Sequence, residues 1–167
     1  SESLSGKVIV ITGSTRGLGL AMAHAVFGGG DGGRVVAREA VTQAVQQISA
    51  AGGRVGGLAC DTGDTAQVQA LADYTLTTFG RLDVWVNNAG VGAPYGPTLN
   101  VPPARFEQVI RTNMLGVYHG SFIAMQHFVA QGQGKLINLL GRGDNGPQPF
   151  QNAYASSKVW VRNFTKA

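Results

Sequence analysis

The sequence predicts an α/β domain built on a doubly wound parallel sheet. Short β-branched runs alternate five times with segments of helical composition, the signature of strands joined by helical crossovers. The first run ends in a glycine-rich turn that opens a helix. A chain of 167 residues is large enough for one such core and small for two, so residues 1–167 read as a single domain.

Val8-Ile9-Val10-Ile11 is apolar throughout, as expected of a strand covered on both faces. Residues 18–27 are rich in Ala, Leu, Met and His and stop at Gly28-Gly29-Gly30-Asp31-Gly32-Gly33, which reads as a helix followed by a loop. Residues 34–37 make a short second strand, residues 39–51 a helix ended by Gly52-Gly53, and residues 55–60 a weaker third strand diluted by Gly56-Gly57. Residues 64–79 are expected to form a helix with Asp64 as N-cap and Gly80 closing it. The fourth strand is residues 82–87. Residues 103–131 carry Phe106, Val109, Ile110, Met114 and Val117 at the spacing of one long helix face. The fifth strand is residues 135–140, followed by a polar Gly/Pro loop over 141–151 and a helix beginning near Asn152. That helical pattern still runs at Ala167 without a cap, so the domain is expected to be cut short at its C-terminus.

Composition excludes several classes of function. Charged residues make 13% of the chain and glycine 25 positions, about half and twice their usual shares. Backbone is needed here more than side chains. A net charge of +4 with no dense Lys/Arg cluster argues against a nucleic-acid partner. No apolar run approaches the ~18 residues of a membrane span, and the start, Ser1 to Lys7, lacks the pattern of a signal peptide. Cys60 is the sole cysteine, so neither a disulfide nor a thiolate metal cage is expected, and a cytoplasmic location fits.

Two motifs carry chemistry. The first is Thr12-Gly13-Ser14-Thr15-Arg16-Gly17-Leu18-Gly19, between a strand and a helix, where phosphates could meet free N–H groups and the positive helix end. Residues 13–19, Ser14, Thr15 and Leu18 included, are therefore candidates for binding a dinucleotide in a Rossmann-like fold. An arginine near the end of the second strand would pair with the 2′-phosphate of NADP, which a carboxylate would repel. Arg38 stands near that point and Arg16 sits inside the turn, favouring NADP while leaving NAD open. The second motif is Tyr154 and Lys158, one helical turn apart on the same face. An ammonium beside a phenol favours the phenolate and lowers its pKa, which suits proton transfer to a carbonyl oxygen.

Taken together, Thr12-Gly13-x-x-x-Gly17-x-Gly19, Asn87-Asn88-Ala89-Gly90, Asn113 and Tyr154-x-x-x-Lys158 resemble, in order, the motifs of the short-chain dehydrogenase/reductase family, from about Lys7 onward. The resemblance implies strand order 3-2-1-4-5 without the family's C-terminal strands, and interconversion of a small-molecule carbonyl and a secondary alcohol with NADP or NAD. It implies that Gly13, Gly17 and Gly19 line the pyrophosphate and that Asp61 meets the adenine. Asn87, Asn88, Ala89 and Gly90 would steady the sheet and pass beneath the ribose. Lys158 would bind the nicotinamide ribose and bias Tyr154, and Asn113 would hold a relay water. A kink freeing the Asn113 carbonyl would explain an asparagine inside a helix. It also implies a homo-oligomer formed through the long helix and the Tyr154 helix. One departure stands out: Gly141 occupies the position, thirteen before the tyrosine, where the family places a serine. The alternative is a non-catalytic nucleotide-binding or assembly module. The substrate is not legible from these residues.

Overall fold

The computed structural model describes Leu4, residues 6–27 and residues 55–167. The second predicted strand, the helix after it and Arg38 lie outside the described residues. The described sheet has three parallel strands in the order β1 (Ile9–Ile11), β2 (Val84–Asn87) and β3 (Lys135–Asn138). Ile9 aligns with Val84, and Val84 with Lys135. The first, fourth and fifth predicted strands thus lie side by side. Residues 55–60, expected as the third strand, form no strand among the described residues; their expected neighbour, residues 34–37, is not described.

Period-two alternation sends the strands' side chains to two cores. Ile9, Ile11 and Val86 pack with Ala23, Leu20, Met22 and Val26 of α1 (Gly17–Phe27). Val10 and Trp85 pack on the other face with Val68, Leu71 and Ala72 of α2 (Thr65–Phe79). Helices on both faces make the sheet doubly wound. The α2 ends follow their expected chemistry: Asp64 accepts from the Ala66 and Gln67 N–H groups, and Gly80 closes the helix at φ 77°.

The long predicted helix is three segments: α3 (Pro103–Val109), a π-helical turn (Ile110–Leu115) and α4 (Gly116–Gln131). Within the wide turn the Gly116 N–H bonds to the Arg111 carbonyl, five residues back. The extra residue shifts the helix register. Val109 and Val117 are buried, whereas Phe106, expected on the same face, is 43% exposed. The fifth strand is shorter than expected, ending at Asn138, and α5 (Asn152–Lys166) crosses beside the π turn.

Strand β2 is tied to its neighbours by side chains as well as by its ladder. Trp85 Nε1 donates to Asn87 Oδ1 at 2.8 Å. Asn87 Nδ2 donates to Asn138 Oδ1 at 2.8 Å and to Ser121 Oγ at 3.1 Å. The strand end is thereby fixed between α4 and β3, where the site begins.

Candidate active site

The glycine turn is stitched to the loop that leaves β2. Thr12 Oγ1 accepts from the Asn88 and Ala89 N–H groups, each at 3.1 Å. Asn88 Nδ2 donates to the carbonyls of Thr12, at 2.9 Å, and Gly13, at 3.2 Å. Gly19 must be glycine here, because a Cβ would collide with the backbone carbonyl oxygen of Gly13 and lie 2.5 Å from Asn88 Nδ2. Gly17 is different: at φ +54° its Cβ position meets nothing within 4 Å.

A groove of about 410 Å³ opens above this turn. Gly13, Thr15, Arg16, Gly17, Leu18 and Gly19 line one wall, and residues 88–91 with Thr112 line the other. The N-terminus of α1 therefore faces open space, and a backbone cradle of this kind fits the phosphates of a dinucleotide. Not every candidate meets the groove. Ser14 is buried and outside the lining, and the Asn87 side chain is committed beneath the sheet. Asp61 also lies outside the lining. Its carboxylate accepts from the Gly63 N–H at 2.9 Å and pairs with Arg111 at 3.3 Å.

Gly90 brings the groove wall up to the Tyr154 helix: its Cβ position would lie 3.9 Å from Lys158 Nζ and 3.5 Å from Asn113 Oδ1. Lys158 is buried and donates to the Leu139 carbonyl at 2.8 Å. Its ammonium stands 5.6 Å from the Tyr154 ring centroid. Gly141 faces Tyr154 directly, since a Cβ there would clash with the phenol oxygen.

Asn113 sits in the π turn with its side chain fully engaged. Oδ1 accepts from the Val91 N–H at 2.8 Å, and Nδ2 donates to the Val91 carbonyl and to Ser157 Oγ, each at 3.0 Å. Ser157 in turn donates to the Tyr154 carbonyl at 2.6 Å. The groove wall and the Tyr154 helix are thus clasped through one asparagine.

A sequence model of the family described as short chain dehydrogenase matches residues 7–167. The chain belongs to the short-chain dehydrogenase family. Over 171 residues it is 36% identical to 3beta-hydroxysteroid dehydrogenase 1 of Eggerthella lenta, an alignment that covers 99% of this chain and 64% of that protein. Among solved structures it is similar to a short-chain dehydrogenase/reductase from Burkholderia phymatum in complex with NAD. The TM-score is 0.90 at 32% identity, covering 99% of this chain and 60% of that one. It is also similar to a 3-ketoacyl-(acyl-carrier-protein) reductase from Brucella melitensis complexed with NADH. There the TM-score is 0.88 at 32% identity, covering 98% and 68%. The chain spans about two-thirds of the length of these relatives. Among the described residues no helix is long and apolar enough to cross a membrane, and no cluster of metal-ligating side chains is present.

The electrostatics of this short-chain dehydrogenase site differ from the sequence expectation. Burial pushes the Tyr154 phenol up from its ordinary value and the Lys158 ammonium down, each being disfavoured in its charged form. The expected lowering of the phenol is not seen here. The ammonium is turned to the Leu139 carbonyl, and burial dominates. Sequence reasoning passed over Val91 and Thr112 in the groove and Ser157 in the clasp, whereas Asn88 belongs to the Asn87-Asn88-Ala89-Gly90 motif it singled out.

Proposed function

We propose that the protein is an oxidoreductase that interconverts a small-molecule carbonyl and a secondary alcohol, using a nicotinamide dinucleotide held along the groove. The observation that carries this reading is that Gly90, in the wall of the groove above the glycine turn, stands beside Lys158 and Asn113. Bound there, the cofactor would supply or accept hydride at the substrate carbon. The chain's own residues would do the rest. Gly13, Gly17, Gly19 and the N-terminus of α1 bind phosphate, while Ala89 and Gly90 form the opposite wall.

Tyr154 exchanges a proton between its phenol oxygen and the substrate oxygen. With its pKa raised by burial, the phenol is protonated at neutral pH and ready to act as an acid in the reducing direction. Lys158 supplies the nearby positive charge that stabilises developing phenolate. Asn113 holds the groove wall against the Tyr154 helix. A part for Asn113 in a water relay, as the family resemblance implies, belongs to the same reading.

NADP is the preferred form, on the strength of Arg16, which is exposed on the groove wall and can reach a 2′-phosphate. NAD and NADH, named with the two similar structures, are the competing outcome. Gly141 favours a second reading, a nucleotide-binding protein without turnover, because it offers no side-chain donor to the substrate oxygen.

The test is reduction of simple ketones by the intact protein with NADPH and NADH. Turnover that falls at least 100-fold in Tyr154→Phe, with KM for NADPH raised in Arg16→Ala and KM for NADH unchanged, is the expected result. Tight NADPH binding with no turnover on any ketone would transfer the case to the binding protein.

A further inference from the structure

Among the described residues Gln151 Oε1 is shielded from solvent and has no hydrogen-bond partner. Such an acceptor is rare, and the rarity is a reason to look for a missing donor. Local structure does not use it. Gln151 stands at the N-cap of α5 without a side-chain capping bond, and the Ala153 N–H is taken by Asn152 Oδ1 at 2.7 Å.

The backbone at this point is held in place at a cost. Phe150 has φ 63° and is the one non-glycine with positive φ among the described residues, an unfavourable conformation for a bulky side chain that clusters at functional sites. Its carbonyl accepts from the Gly96 N–H at 3.0 Å, and its ring packs against Tyr95 at 5.7 Å. The Gln151 N–H donates to the Gln148 carbonyl at 3.2 Å, and its own carbonyl accepts from Ala155 at 2.8 Å. The fold fixes the Gln151 backbone and leaves its amide oxygen unused.

Gln151 and Tyr154 line one pocket of about 200 Å³, walled by Gly92, Ala93 and Pro94. The terminal torsion of glutamine is broad, and no bond to Oε1 opposes its turning into that pocket. The volume suits a small fragment. A residue three positions before Tyr154 lies one helical turn from it, so a group held by Gln151 is close to the carbonyl that Tyr154 serves.

We propose that Gln151 is a specificity-determining residue whose amide oxygen accepts a hydrogen bond from a hydroxyl adjacent to the reacting carbonyl, so that the substrates are α-hydroxy ketones and the matching vicinal diols. A hydroxyl rather than an ammonium is the donor, because the pocket lining contains no carboxylate. This assignment rests on the reading of Tyr154 as the proton-transfer residue. A site with an otherwise unpaired acceptor discriminates strongly against a ligand lacking the donor.

The probes are 2-hydroxycyclohexanone and cyclohexanone, reduced by the intact protein with NADPH or NADH. The wild type is expected to prefer the hydroxy ketone at least tenfold in kcat/KM. Gln151→Leu should lose that preference through a raised KM for the hydroxy ketone alone, leaving cyclohexanone within twofold. Gln151→Glu, which keeps an acceptor, should retain it. Equal use of both ketones by the wild type, or equal losses on both in Gln151→Leu, overturns the assignment. If neither ketone turns over, the reductase reading falls, and calorimetric titration of cofactor-loaded protein with 2-hydroxycyclohexanone decides the subsite. Weaker binding by Gln151→Leu sustains it, and equal or absent binding removes it.

Discussion

At Gly141 the space of a side chain is taken by the phenol of Tyr154, because a Cβ there would meet that oxygen. Serine at 141 would add both crowding and a donor, and alanine only the crowding. The phenol is the mobile end of a side chain and can move aside. If the substrate oxygen lacks a second donor, Gly141→Ser should raise kcat for ketone reduction about 100-fold, the lower end for one oxyanion-side hydrogen bond. Gly141→Ala should leave kcat unchanged or lower. Steady-state kinetics on the two variants decide the matter. A serine that behaves like the alanine means another group already holds the oxygen. Gly141 could be read from the sequence by counting back from Tyr154, whereas Gln151 could not. A glutamine in a polar loop shows no periodicity, and its unpaired oxygen exists only once the loop has folded against residues 92–97.

Among elements, β2 shows what strand patterning cannot see. Residues 82–87 read as one strand, yet the assigned strand begins at Val84, and the side chain of Asp83 just before it pins the start of β1. Its carboxylate accepts from the Val8 N–H at 2.8 Å and from Arg81 at 2.6 and 2.8 Å. Burial opposes the charge, but the Arg81 and Val8 hydrogen bonds and the charges of Arg81 and Lys7 outweigh it, holding the carboxyl below its ordinary 3.8. A depressed folded value means stability present in full above that ordinary value and lost as pH falls below it. Asp83→Asn should therefore cost about 1.5 to 3 kcal/mol at pH 7, the range for hydrogen bonds to a charged group. Urea unfolding should show the gap to wild type narrowing as pH drops below the ordinary value; a gap independent of pH would mean packing alone. The π turn was half legible. Asparagine is a poor residue inside a helix, which marked Asn113, but the clasp through Ser157 depends on where α5 crosses.

For the whole molecule, helices pack on both faces of the sheet as the alternation of strands and helices demands, while Ile137 of β3 stays 40% exposed, and a further apolar face lies on α4. Along α4, Tyr118, Phe122, Met125 and Val129 are 45%, 48%, 45% and 74% exposed. Their spacing of four, three and four residues is one helical stripe. Tyr118 stacks on Phe122 with centroids 6.0 Å apart and meets Phe164 of α5 edge-on at 6.2 Å. Trp160 stacks on Phe164 at 4.8 Å, so the stripe widens into an aromatic patch across two helices. A contiguous apolar surface of this kind is uncommon on a monomer. A two-fold axis would let each patch cover its copy, which is the homo-oligomer expected from the family resemblance. The intact protein should run as a dimer or larger in light scattering at micromolar concentration. Phe122→Glu, placing a charge in the middle of the stripe, should reduce it to a monomer with its circular dichroism intact, since that side chain is half exposed and outside both cores. A wild type that is monomeric at these concentrations, or a Phe122→Glu variant that stays associated, would remove α4 from the interface.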